Sequence, residues 1–279
     1  MIASFLITLR EGIEAALVVA IMLSYLAKVG AKAYARPMYL GVILGIVASV
    51  AVAGLFELVA VEFEGSLEQV FEGSTMFLAA AVLTTMIAWM AKNSRALSED
   101  LKGKAERAVA SGRYYGLAFL AFISVFREGI ETVLFLGSAS FTSTGFQILV
   151  GGALGLAMAG LIGFAIIRYS VKLNLRTFFN VTGILLILFA AGLVARGLHE
   201  FGEAGAVPAL VEHMWDSNWI VNDQSTLGEL LTSLLGYNGT PSLTEVLGYV
   251  VYWILVVYLV YRAEAISLLR KLGGVFRRA

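Results

Sequence analysis

Arg10-Glu11-Gly12-Ile13-Glu14 recurs as Arg127-Glu128-Gly129-Ile130-Glu131, each copy in the middle of a long apolar stretch. An ionisable side chain at membrane depth is costly and marks a functional site by default. Successive helical residues turn by 100°, so Glu14 and Glu11 project at about 40° and 100° from Arg10. All three share one face. Gly12 lies on the other side, where a missing side chain lets a second helix come close. If the two copies face each other, four carboxylates and two guanidiniums share one small volume with a net charge of −2. Each Arg stays protonated and bridges carboxylates with its planar fork. The remaining negative charge draws in protons or a multivalent cation. Oxygen donors favour hard cations, and a chain without cysteine supplies no thiolate. This chemistry does not separate Fe³⁺ from Mg²⁺, Mn²⁺ or Ca²⁺. The structural alternative is that each Arg–Glu pair ties helices together. The second Glu left over in both copies argues against it.

The elements that carry these groups are membrane helices. The chain of 279 residues is 59% hydrophobic and 14% charged, which excludes an ordinary soluble domain. About 20 apolar residues cross the hydrocarbon core. Stretches of that order lie near 3–27, 37–60, 70–91, 114–137, 147–167, 178–197 and 246–262, predicting an all-α integral membrane protein with seven spans. The first stretch lacks a basic n-region and carries three charges, so it reads as a span and not as a signal peptide. Of the 20 Lys and Arg residues, Arg10, Arg127 and Arg196 fall in spans, and the other 17 all fall in alternate connections. The positive-inside rule then places the N-terminus outside and the C-terminus in the cytoplasm.

That topology runs spans 1 and 4 in opposite directions, so the doubled pentapeptide predicts an inverted repeat. Gly41-x3-Gly45 and Gly151-x3-Gly155 add a second echo. Secondary transporters with three-plus-three inverted repeats bind their substrate at the repeat interface. The chain divides into 1–91 (spans 1–3), 92–205 (spans 4–6), an acidic outer loop 206–245, and 246–279 with the last span and a basic tail. The connection 92–113 mixes charges and predicts a short amphipathic surface helix.

A second acidic set lies at the outer face. Glu57, Glu62, Glu64, Glu68 and Glu72 surround the start of span 3, and His199, Glu200 and Glu203 end span 6. Glu68 and Glu72 share a helix face and fit a solvated loop as well as they fit a metal site. An acidic mouth concentrates cations whether or not it coordinates them. Met76, Met86 and Met90 read as packing residues. No Walker loop, dinucleotide fingerprint or nucleophilic triad is present, so the chain is expected to be neither an enzyme nor a nucleic-acid binder.

The paired motifs resemble those of the high-affinity iron permease family, the oxidase-dependent iron transporters. Further segments are similar to that family: Phe71-Glu72-Gly73 with Leu83-Thr84-x-Met86-x-x-Trp89-Met90, Ala190-Ala191-Gly192-Leu193 with His199-Glu200-Phe201-x-Glu203-Ala204-Gly205, and Glu245-Val246-Leu247-x-Tyr249-x-x-Tyr252. The resemblance implies uptake of Fe³⁺ as transported substrate across a plasma membrane, the bacterial inner membrane for this compact form, with no permanently bound cofactor. It implies Glu11, Glu14, Glu128 and Glu131 as iron ligands or relay sites, with Arg10 and Arg127 balancing their charge. Glu68, Glu72, His199, Glu200 and Glu203 would then gather the ion outside. Bacterial relatives work with a periplasmic iron-binding protein and a haem peroxidase, and fungal ones with a ferroxidase. The rivals are transport of another divalent metal such as lead or manganese, a proton-coupled exchanger, and a non-transporting membrane anchor for an oxidase.

Overall fold

The computed structural model describes the backbone of residues 1–110, 114–169, 175–208 and 210–276. It also describes their side chains, except those of 32, 91–98, 100, 102, 110, 114, 168, 169, 175, 176 and 260–276. Eight α-helices are found among the described residues: α1 Ile2–Lys28, α2 Ala35–Glu62, α3 Ser66–Ala110, α4 Tyr114–Ser140, α5 Gly145–Tyr169, α6 Leu175–Glu203, α7 Thr226–Leu235 and α8 Leu243–Phe276. No strand occurs among them. Four stretches, Ala35–Glu62, Ser66–Met90, Gly145–Ile167 and Thr177–Glu203, are long and apolar enough to cross a membrane. Helices α1 and α4 match them in length, at 27 residues each, and each carries one charged pentapeptide. Most basic residues behind the orientation argument lie outside the described side chains.

Close approaches between helices are made by small residues, as expected where helices pack without a hydrophobic driving force. Gly41 and Gly45 of α2 lie on the backbone of Ala118 and of Phe122 to Phe126 in α4. Gly151 and Gly155 of α5 lie on the backbone of Met1 and of Phe5 to Leu9 in α1. The match goes further: Gly129 of α4 meets Ser49 of α2, and Gly12 of α1 meets Ala159 of α5. One contact set therefore maps onto the other, α1 onto α4 and α2 onto α5. In both pairs residue numbers rise together, so α1 runs parallel to α5 and α2 parallel to α4. In the third pair they run oppositely: Gln69 reaches Glu203, Gly73 meets Gly197, and Ile87 meets Gly183. Because the chain reverses after α1 and again after α4, α1 and α4 are antiparallel.

An alanine at Gly155 would place its Cβ against Thr8 and the α1 backbone. Overpacking of this kind costs about 1–3 kcal/mol. Gly54 and Gly160 have nothing within 4 Å. We expect Gly155→Ala to lower the thermal midpoint in detergent by several degrees, and Gly54→Ala and Gly160→Ala to leave it unchanged or slightly raised.

The outward faces of α2 and α5 are largely apolar, with Val47, Val50, Leu58, Val61, Leu154 and Leu161 exposed. Inside, Ile7, Met76, Leu83, Phe135, Leu186, Phe189 and Leu193 fill the space between α1, α3, α4 and α6. Helix α8 joins this core through Tyr252, whose hydroxyl lies 2.8 Å from Thr84 Oγ1.

One expectation changes. Residues 92–110 do not form a separate surface helix, because α3 continues unbroken to Ala110 over 45 residues, and 111–113 lie outside the described residues. At 1.5 Å per residue that is about 68 Å, roughly twice the hydrocarbon thickness. The run from Met90 to Ala110 is rich in Ala, Leu, Lys, Glu and Arg, all good helix formers. Its Leu101 and Ala105 are buried with Met22, Leu26, Met38 and Leu117. The connection between α6 and α8 contains α7. Ser225 caps that helix by accepting from Gly228 N at 3.0 Å, and Gly236 ends it at φ +67°.

Candidate metal centre

The first pentapeptide is deeply buried. Arg10 is 1% exposed, and its Nη1 donates to Glu11 Oε1 at 2.8 Å while Nη2 lies 2.9 Å from Glu14 Oε1. The same two nitrogens contact sulfur. Nη1 lies 3.2 Å from Met86 Sδ and Nη2 3.0 Å from Met90 Sδ. The Phe179 ring centre is 6.0 Å from Arg10 Cζ. Gly12 faces away from this cluster, where a Cβ would come within 2.6 Å of Ala159. The glycine thus sets how closely α5 supports α1.

The second copy has the same sequence and a different arrangement. Arg127 is 52% exposed, and its Nε donates to Glu131 Oε1 at 2.9 Å. Glu128 is buried. The antiparallel crossing of α1 and α4 brings Glu11, Glu128 and Glu131 together, each offering an oxygen within 4.8 Å of the others. The Oε2 atoms of these three residues are buried without a hydrogen-bond partner. Buried carboxylate oxygens without partners are expensive and call for a proton or a cation. Of the four motif carboxylates, three therefore converge, and Glu14 is turned to Arg10. A cavity of about 430 Å³ reaches the group; its polar lining is Glu11, Ser49, Glu57, Glu128, Thr132 and Ser140, and most of the rest is apolar.

The second acidic set gathers where the start of α3 crosses the end of α6. Glu68, Glu72, Glu200 and Glu203 are electrostatic neighbours there, together with Arg196. Glu200 is buried, Glu72 half-buried, and Glu68 and Glu203 exposed. Their oxygens do not converge as the inner three do; no second such group exists among the described residues. Arg196 Nε is 3.8 Å from Glu200 Oε1, and Gln69 Nε2 donates to Glu203 Oε2 at 3.1 Å.

His199 is held at both nitrogens, Nε2 by Glu203 Oε1 and Nδ1 by Glu245 Oε1, each at 3.1 Å. Glu245 also accepts from Asn238 Nδ2 at 2.9 Å and from Ser242 Oγ at 2.9 Å. The sequence places Glu245 only within a family-like segment and gives it no site role; in the structure it ties α6, the connection before α8 and the start of α8 together. Removing its carboxylate leaves several donors unpaired in a buried place, at about 1–3 kcal/mol. Glu245→Ala is expected to lower the thermal midpoint clearly, and Glu203→Ala, on the exposed side of the same ring, to shift it little.

Met86 and Met90 were also missed as neighbours of the motif. Their spacing of four on a helix that faces α1 was the available signal.

The sequence matches the iron permease FTR1 family over residues 1–271. It is 35% identical to the ferrous iron permease EfeU of Yersinia pestis over 256 residues, 91% of each chain. With the protein of that name from Yersinia pseudotuberculosis it shares 35% over 252 residues, 90% of this chain and 88% of the other. The one from Escherichia coli O6:H1 is 34% identical over 256 residues, 91% of this chain and 93% of the other. No solved structure matches. The doubled pentapeptide on antiparallel helices thus lies within a match spanning almost the whole chain, and the protein belongs to the iron permease FTR1 family.

Proposed function

We propose that this chain imports iron across the plasma membrane, and that the ion passes the carboxylates between α1 and α4 as Fe²⁺. The observation that carries this reading is the convergence of Glu11, Glu128 and Glu131, each with a buried, unpartnered oxygen. Two arguments favour the ferrous over the ferric ion. The relatives are named ferrous iron permeases. The two motifs also carry a net charge of −2, which a divalent ion neutralises, whereas a trivalent ion leaves an uncompensated charge in a low-dielectric place.

In this reading α1 to α6 and α8 are seven spans, with the N-terminus outside. Residues 1–91 and 92–205 are inverted repeats, followed by the outer loop 206–245 and the last span with its tail, 246–279. The matching Gly contacts of the α1–α5 and α2–α4 pairs support the repeat. Glu68, Glu72, Glu200 and Glu203, with His199, raise the local cation concentration at the outer mouth. The ion then reaches Glu11 and Glu128 through the cavity between α2, α4 and α5. Arg127 is half exposed, and a guanidinium at membrane depth must face water and not lipid. Its side of the centre is therefore hydrated. Rocking of one repeat against the other releases the ion inward. A periplasmic iron-binding protein and a haem peroxidase or ferroxidase are the partners the family resemblance offers.

The oxidation state is tested by radioactive iron uptake into proteoliposomes, with iron held ferrous by a reductant or supplied as ferric citrate. Saturable uptake confined to the ferrous condition is expected. Equal or greater uptake from ferric citrate would reverse the choice of ion. Absence of uptake under both conditions in intact vesicles would favour the membrane-anchor reading.

A further inference from the structure

The guanidinium of Arg10 sits in a cage of four atoms contributed by α1 and α3. Nη1 is shared by Glu11 Oε1 at 2.8 Å and Met86 Sδ at 3.2 Å. Nη2 is shared by Glu14 Oε1 at 2.9 Å and Met90 Sδ at 3.0 Å. Two carboxylate oxygens and two thioether sulfurs thus surround a cation that belongs to the chain itself. Met86 and Met90 are buried, four residues apart on one face of α3, and both turn their sulfur to the same charge. Packing alone does not require that. A methionine serving only as filler has no reason to aim its one polarisable atom at a guanidinium, because Leu fills a comparable volume.

Glu11 belongs to both places. Its Oε1 holds Arg10, while its Oε2 is buried and unpartnered beside Glu128 and Glu131. An ion arriving at the three converging carboxylates therefore stands one side chain away from the cage. The Phe179 ring, 6.0 Å from Arg10 Cζ, offers the displaced guanidinium a π face.

We propose that Met86 and Met90 are the specificity-determining ligands of the iron path: the metal ion replaces the Arg10 guanidinium in the cage and gains two thioether donors beside Glu11 and Glu14. This rests on the reading of the pentapeptides as an iron site and adds what they cannot supply. Carboxylates alone accept Mg²⁺, Ca²⁺ and Mn²⁺ as well as iron. Thioether sulfur contributes little to those hard ions and binds the softer, later metals, ferrous iron among them, as it does at haem. A mixed cage rejects the abundant hard divalent ions by what it withholds from them. It also gives soft donors to a chain that has no cysteine to supply a thiolate.

The test is equilibrium binding of Fe²⁺, Mn²⁺ and Ca²⁺ to the purified full-length protein under anaerobic conditions. The proteins compared are the wild type, Met86→Leu/Met90→Leu and Glu128→Gln. Leu conserves volume at both positions. The double Leu variant should lose about 10-fold or more in Fe²⁺ affinity, with Mn²⁺ and Ca²⁺ held within about 2-fold. Iron X-ray absorption of the loaded wild type should contain a sulfur shell, a readout independent of how the variants fold. Unchanged Fe²⁺ binding in the Leu variant, a parallel loss of all three ions, or a shell of oxygen and nitrogen only would each overturn the inference. If Glu128→Gln abolishes binding while the Leu variant matches the wild type, the carboxylate site stands and the methionine role falls. A wild type that binds none of the ions overturns both.

Discussion

Replacing Arg10 with Leu is expected to cost about 3–5 kcal/mol of stability, while Arg127→Leu costs about 1 kcal/mol or less. The two residues occupy the same place in identical pentapeptides, so the difference comes from their surroundings. Arg10 is 1% exposed and holds two carboxylates, so its removal strands Glu11 and Glu14 as buried, uncompensated charges. Arg127 is 52% exposed and pairs directly with Glu131, so water reaches the guanidinium and screens part of the charge its removal leaves. Neutralising one of the stranded groups should recover part of the loss, so Arg10→Leu/Glu14→Gln is expected to be more stable than Arg10→Leu. Thermal unfolding in detergent, run as a double-mutant cycle, checks the coupling. Equal losses for the two Arg substitutions would mean that the buried pairing of the first motif is not what holds it.

Glu128→Gln is expected to lower Fe²⁺ affinity by about 100-fold while leaving the protein folded. Substitutions around metal ligands already cost 10- to 100-fold, so loss of a ligand belongs at the upper end of that range. Folding survives because the substitution removes one of three crowded like charges and keeps the side-chain shape. Glu11→Gln should lose as much affinity and some stability too, since Glu11 also pairs with Arg10. Glu68→Gln, at an exposed position away from the three converging carboxylates, should change affinity no more than about 3-fold, through lost steering alone. Anaerobic equilibrium binding, with folding monitored by thermal unfolding, separates these cases.

The helical class and the meeting of the two motifs were legible in the sequence, because hydropathy runs and intramembrane charges leave strong local signals. Antiparallel α1 and α4 followed from the alternation of basic connections, and the contacts of Gly41, Gly45, Gly151 and Gly155 agree with it. The unequal burial of Arg10 and Arg127 was not legible, since two identical pentapeptides contain nothing to distinguish them. What separates them comes from α3 and α6, through Met86, Met90 and Phe179. Methionine in an apolar run is indistinguishable from filler until its partner is known. Glu245 was hidden for a similar reason: its partner His199 lies 46 residues away. The continuation of α3 to Ala110 was missed because a drop in hydropathy marks the end of a span, not the end of a helix.

The most direct test of the central claim is radioactive ferrous iron uptake into sealed proteoliposomes containing wild-type protein or Glu128→Gln, at matched incorporation. The account predicts saturable uptake by the wild type and near-background uptake by the variant. Equal uptake by both would contradict it and place the iron path away from the carboxylates between α1 and α4.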